Sequence, residues 1–206
     1  MPGTPLDVLV LAPGRRGCLG VDLASGAFVR VHQRGMQHEP LNILDVGTTF
    51  IADVQQERPD QPESVDVTSP LERVGRLGRH RQERLLRQLV HPAQHQLFGF
   101  HGSSIASWRL DGERPSVGLV QPGDDLQVSV GERGVRCQFS WNGLPQDLAF
   151  EDPRLLARLD WLTAKALRGR QLRDALGFRP GRLVVALSRP VNGHCYKIAA
   201  AALPRL

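Results

Sequence analysis

Two guanidinium groups sit in the turn Gly14-Arg15-Arg16-Gly17, between an apolar run over residues 7–12 and a second over residues 18–23. Arginines on a glycine-flanked turn, whose backbone N–H groups are free to point outward, suit a phosphate or another anion. The turn lacks the Gly-Lys-Ser/Thr ending of a P-loop, and such turns also serve as plain hairpin tips. With Arg30 and Arg189 it forms the first candidate anion contact.

A second constellation lies in residues 153–168. Asp152-Pro153 is a helix start, with Asp as N-cap and Pro at the first helical position, and Gly169 can close the helix after Arg168. At 100° per residue, Leu155, Leu156, Leu159, Leu162 and Ala166 make an apolar stripe, while Arg154, Arg158, Lys165 and Arg168 fall on the opposite side around Trp161. A cationic stripe carrying a stacking aromatic suits single-stranded nucleic acid. The alternative is a Trp161 packed on another part of the chain, with its basic neighbours snorkelling over it.

Other residues invite chemistry more weakly. Gln61 and Glu63, in the polar stretch QQERPDQPES over residues 55–64, can orient a ligand or cap a turn. Tyr196 and Lys197 alternate faces of a strand, so one belongs to the core and the other to the surface. A catalytic Lys197 would need a depressed pKa. His91, His95 and His101 are close in sequence, but Pro92 interrupts any helix between the first two and no carboxylate pair completes a metal site. With no GxSxG elbow, no HExxH and no paired carboxylates, the chain is expected to be a binding protein and not an enzyme, with no cofactor and no metal.

The charge is unevenly placed. The chain of 206 residues is net +5, yet residues 70–90 carry net +4 and residues 153–182 net +6, while residues 1–69 and 91–152 each carry net −4. Both basic segments read as helix. Such an asymmetry is an argument about partners: nucleic acid, a nucleotide-like anion, or an acidic protein surface. Of the 26 basic residues, only Lys165 and Lys197 are lysine. A GC-rich genome explains that bias, so the position of the charge carries more weight than its arginine character.

The elements that must hold these residues are mostly strands. Residues 7–12, 18–23 and 27–32 form a meander, and residues 42–54 continue it. From Gly78 the pattern is helical, with Leu85, Leu86, Leu89 and Val90 on one face and Glu83 paired with Arg87, until His91-Pro92 stops it. Strands resume at residues 107–110, 116–120, 126–130 and 135–141, separated by Gly112, Pro122-Gly123, Gly131 and Asn142-Gly143. A short helix to Leu176 precedes a final hairpin over residues 182–203, centred on Asn192-Gly193. Apolar runs fall short of the ~20 residues of a membrane span. The first residues do not form a secretory signal, and the expectation is a cytoplasmic protein that contacts no membrane. Cys18, Cys137 and Cys195 are odd in number and read as reduced, structural thiols, although Cys18 and Cys195 occupy matching turns and can lie close together.

Three segments carry a family resemblance: LVLAPGRRGCLGVDLASGAFVRV, Gln61-Pro62-Glu63, and LSRPVNGHCYKIAAAAL with Leu187-Ser188, Gly193 and Cys195-Tyr196-Lys197. Together they resemble the dual OB-containing domain, a family of prokaryotic proteins. The chain departs from that pattern at Pro13-Gly14 and at Ser64. The resemblance implies a mainly β, α+β fold of two OB-like small barrels with intervening helices. The units are placed at residues 1–106 and 107–206. OB barrels bind oligonucleotides or oligosaccharides, but fold alone does not assign the ligand. The expected function is therefore binding of nucleic acid or a nucleotide-like anion. The alternatives are an accessory module docking on an acidic partner and an enzyme with its site between the barrels.

Overall fold

The computed structural model describes residues 3–14, 16–33, 41–132, 134–158 and 166–206. Arg15, Trp161 and Lys165 lie outside these residues. The first sheet grows from the N-terminal meander β1 (Pro5–Gly14), β2 (Gly17–Asp22) and β3 (Phe28–His32). β4 (Asp45–Phe50) pairs with the other side of β1, β5 (Ser64–Asp66) runs parallel to β3, and β6 (Glu72–Arg76) edges β4. The second sheet contains β7 (Ser104–Ala106), β8 (Val117–Val120), β9 (Gln127–Gly131), β10 (Gly134–Trp141), β11 (Leu144–Phe150), β12 (Ala166–Arg168), β13 (Pro180–Leu187) and β14 (His194–Pro204). Its order is β12-β9-β10-β11-β14-β13-β8, with β7 on the start of β14.

The sheets share a plan. In each, the third strand of an antiparallel meander, β1–β3 or β9–β11, takes a parallel neighbour from later in the chain: β5 for the first and β14 for the second. The counterpart of the N-terminal unit is therefore β9–β11. The terminal hairpin β13–β14, whose turn it resembles, has a different place.

The fold is mainly β, but neither strand order returns on itself, so the expected barrels are open sheets. The reason lies in the edges. β4 gives its free edge to β6, and among the described residues its contact with the end of β5 is the isolated bridge Ile51↔Val67, between the residues that directly follow the two strands. In the second sheet the free edge of β8 is taken by Val90 and His91, through the parallel bridge Val90↔Leu119 and the bond from His91 N to Leu119 O at 2.7 Å.

Period-two alternation sorts the side chains into three apolar layers. Leu6, Val8 and Val10 of β1 enter one layer with Cys18, Val29 and Val31. Leu9 and Leu11, on the opposite face, enter a second with Val117, Leu119, Val184, Ala186 and Leu203 of the other sheet and with Leu86. Leu183, Val185 and Leu187 of β13 face a third, with Cys137, Phe139, Trp141 and Cys195. The middle layer is common to both sheets. Strands buried on both faces read as unbroken apolar runs, which is why β1 and β13 stand out in the sequence. Cys18 and Cys195 fall in different layers, and all three cysteines are free and buried. The matching turns do not bring their thiols together.

Helix α1 (Arg79–Leu89) forms as its pattern predicts, with Leu86 fully buried and Leu85, Leu89 and Val90 half-buried. Other elements depart from expectation. Of the helix expected to reach Arg168, the described residues hold the turn α2 (Pro153–Leu156), residues 159–165 lie outside them, and Ala166–Arg168 is strand β12, hydrogen-bonded to β9. Tertiary pairing overrides local periodicity here: Leu167, off the expected stripe, is buried, and Leu156, on it, is exposed. Residues 107–109 make a 3-10 turn instead of a strand, which carries Leu110 into the core and leaves Trp108 outside. The basic segment 70–90 begins with edge strand β6, not helix. β5 and β11 were not foreseen, Pro145 having masked the alternation of β11. Among the described residues, no helix is long and apolar enough to cross a membrane. No group of three or more His, Cys, Asp or Glu among them is placed to hold a metal ion.

Candidate anion-binding cleft

Helix α3 (Gly169–Leu176) buries Leu172, Ala175 and Leu176 and turns Arg170 and Arg173 outward, three residues apart on one face. Gly177 ends it in the left-handed conformation, φ 81°, with its N–H on Arg173 O at 2.8 Å. The outward face of α3 looks onto a cleft of about 840 Å³ whose other walls are the end of α1, residues 121–124, the start of β13 and the segment after β14. Six arginines line it: Arg87, Arg170, Arg173, Arg179, Arg182 and Arg205. Among the described residues, the acidic side chains in the lining are Glu83 and Asp124. The volume suits a ligand of nucleotide size, and one sign of charge on facing walls concentrates the field.

Arg182 forms the floor. It is 7% exposed, and its two terminal nitrogens meet the two Glu83 oxygens, Nη1 to Oε2 at 3.0 Å and Nη2 to Oε1 at 2.7 Å. Its Nε–H has no partner. The Arg182 hydrogen bonds hold the Glu83 carboxyl below the usual range, and Arg87, 3.4 Å away, adds to the effect. The other pairs are loose and solvent-exposed: Arg170 and Arg173 with Asp174 at 3.6 and 3.3 Å, and Arg179 with Asp124 at 3.8 Å. Exposed pairs of this kind are worth about 0–1 kcal/mol, so an incoming anion displaces them at little cost. The Arg205 guanidinium makes no ion pair among the described residues.

A second polar cluster joins the two sheets. Glu63 accepts hydrogen bonds from Ser116 N at 2.6 Å and from Ser116 Oγ at 2.5 Å. Arg30 donates from Nη2 to Ser116 Oγ at 3.4 Å and to Leu187 O at 3.2 Å. Burial pushes the Arg30 guanidinium down to about 10, against the pull of Glu63 and Asp60. Arg189 donates to His32 Nδ1 at 3.4 Å. An arginine only donates, so Nδ1 is the acceptor and Nε2 carries the proton towards Ser64 Oγ, 3.1 Å away. Burial, then Arg58, Arg189 and Arg30, push His32 down to about 4 and keep it neutral. Gly17 pairs with His32, and Gln33 N bonds to Arg16 O at 3.0 Å. The structure thus gathers Arg30, Glu63 and Arg189 in one place and brings the Arg16 backbone beside them. Gln61, in the loop before Glu63, is 1% exposed with Nε2 unpartnered. Much of this cluster is a seam, its polar groups hydrogen-bonded across the two sheets.

The remaining candidates separate. Arg154 is held by Asp152, Nε to Oδ1 at 2.9 Å and Nη2 to Oδ2 at 2.5 Å. It also reaches Ala202 O at 2.6 Å and covers the Phe178 ring. Arg158 donates to Ala175 O at 2.7 Å, satisfying the carboxyl end of α3. Arg168 bonds the Gln127 side chain. These three serve structure and do not share one helical face, because Arg154 lies in α2, Arg158 in the turn after it and Arg168 in strand β12. Lys197 is 3% exposed, with Nζ donating to Phe100 O at 2.8 Å and lying 4.0 Å from the Phe100 ring centroid. Burial pushes its amine down to about 8. Its neighbour Tyr196 is the surface residue of the pair. Sequence reasoning missed the six cleft arginines as a set, although the segments of five of them were flagged by charge and Arg205 lies outside both. It also missed Trp108, which is 74% exposed and packed edge-on against His194.

No curated protein and no solved structure matches the chain. The family model of the dual OB-containing domain does match, over residues 13–202, which is most of the chain. Its two β-sheets, each built on a meander with a parallel neighbour, therefore have a family: the protein belongs to the dual OB-containing domain family.

Proposed function

We propose that the chain is a non-enzymatic binding module that holds nucleic acid, or a nucleotide-like polyanion, in the arginine cleft. One observation carries the reading. The two basic segments, distant in sequence, contribute Arg87 from α1 and Arg170 and Arg173 from α3 to the same cleft. An OB-type module supports a binding role without naming the ligand.

Fluorescence anisotropy with labelled single- and double-stranded oligonucleotides tests it across 50–300 mM salt. With about four phosphates neutralised, log K is expected to fall against log salt with a slope of about −3. The double change R87A/R173A should shallow that slope. Salt-independent binding, or no binding to any oligonucleotide, refutes the reading.

A second reading is favoured by the carboxylates the cleft arginines already hold. Glu83 on Arg182, Asp124 beside Arg179 and Asp174 beside Arg170 show that acidic side chains fit there. If polyglutamate binds with the same dependence on Arg87 and Arg173 and oligonucleotides do not, the protein is an accessory module for an acidic partner.

A further inference from the structure

Helix α1 carries its charge on the side away from the core. At 100° per residue, Gln82, Leu85, Leu86 and Leu89 turn inward, where Gln82 and Leu86 are buried, while His80, Arg84 and Arg87 turn outward with Arg81 beside them. All four outward residues are exposed, and spacings of three and four make them neighbours on one face. The single carboxylate of the helix, Glu83, is already engaged: both its oxygens meet Arg182, and Arg87 reaches one of them at 3.4 Å. Arg81 and Arg84 make no ion pair among the described residues.

Such a face is unfavourable by itself. Arg79, His80 and Arg81 fill the first turn, where the helix dipole favours acids, and the N-cap Gly78 makes no side-chain capping bond. Arg81, Arg84 and Arg87 then repel one another at successive steps of three. A polyanion laid along the helix relieves these repulsions together. The stripe also has a place to begin. Arg87 belongs both to the stripe and to the cleft wall, and Arg84 and Arg81 lead away from it over about 9 Å, at 1.5 Å per residue. At about 840 Å³ the cleft has room for a nucleotide-sized group and not for a duplex, so a chain seated there enters as one strand.

We infer that Arg87, Arg84 and Arg81, flanked by His80, form a phosphate track that continues from the cleft, so that the ligand is a single strand of several nucleotides and not a mononucleotide. This rests on the reading of the cleft as a nucleic-acid site. The track meets phosphates and no base edges, so it adds affinity without sequence preference.

The experiment measures binding of oligothymidylates of about 3, 6 and 12 nucleotides, a range that spans known single-strand sites. The longest should bind about tenfold tighter than the shortest, with a salt slope steeper by about 1.4, or about 0.7 for each of the two phosphates met by Arg84 and Arg81. The double change R81A/R84A should remove that extra slope and leave the shortest strand unaffected, whereas Arg173→Ala, inside the cleft, should weaken every length. Arg81→Glu puts an acid where the helix dipole favours one, so the melting temperature should hold or rise while the long strand loses affinity. That pairing separates lost binding from lost folding.

Equal affinity for short and long strands, weakened by Arg173→Ala, overturns the track and leaves the cleft standing. A length preference that survives R81A/R84A overturns it as well, because the strand then leaves the cleft over another surface. A duplex that outcompetes a single strand of equal phosphate count overturns the single strand as occupant. Binding of no oligonucleotide overturns both the track and the reading it rests on, and polyglutamate binding lost in R81A/R84A would then give the stripe to an acidic protein.

Discussion

Lys197→Met isolates the effect of one buried charge. In the native chain the amine lies 3% exposed with no carboxylate against it, and burial brings its pKa from 10.5 to about 8. The unfolded chain therefore binds more protons than the folded one between pH 8 and 10.5, so stability rises with pH across that window. Below pH 8 both states are protonated and the folded state bears the whole cost of the buried ammonium, about 3 kcal/mol. The hydrogen bond to Phe100 O and the contact with the Phe100 ring offset about 1–3 kcal/mol of that cost. At pH 7 the methionine variant should thus be within about 1–2 kcal/mol of wild type. The pH profile is the sharper readout. Cys18 and Cys137, both pushed up to about 12 by burial, lower stability above the ordinary thiol pKa of about 8.5. They do so equally in both proteins and cancel. Urea denaturation at intervals from pH 7 to 10 should show wild type gaining on the variant by about 1.4 kcal/mol per pH unit above pH 8. A difference that stays flat over that range means the amine titrates near its ordinary value, and the account of Lys197 fails.

Two further outcomes follow from buried groups. Glu63→Gln retains one acceptor for Ser116 but removes the charge facing Arg30, and should cost about 1.5–3 kcal/mol in urea denaturation; a loss under about 0.5 kcal/mol would show that the seam is dispensable. Native Cys18 and Cys137 should resist iodoacetamide at pH 8 and react fully in denaturant, whereas rapid labelling of the folded protein would contradict their burial.

Local rules made much of the fold legible. Asn142-Gly143 and Asn192-Gly193 both adopt positive φ, at 51° and 69°, and at 50° and 77°, as two-residue hairpin turns demand. Asp152 caps Arg154 N at 3.0 Å, as Asp-Pro suggested. The strand at Ala166–Arg168 was not legible. Leu155 to Ala166 carries a helical period, but Leu167 is fixed by pairing with Val128 across a long stretch of chain, which no local window contains. The cleft divides in the same way. The charge of residues 70–90 and 153–182 marked the right segments, yet nothing local says that Arg87 and Arg173 share a wall with Arg205. Arg154, Arg158 and Arg168 had equal claims by composition. They were set aside only because Asp152, Ala175 O and Gln127 were there to hold them.

The place of β13 and β14 also governs the order in which the protein can assemble. They occupy the middle of the second sheet, yet they are its last strands to be synthesised. Until they emerge, β8 has no strand beside it and β11 shows an unpaired edge, because Val120 waits for Leu183 and Ala149 for Ile198. Contacts between such distant residues form slowly, and open edges in the interval invite pairing with other chains. On a ribosome, the first sheet can be complete while the second is still two fragments, and the joining hairpin ends the exposure of both edges in one step.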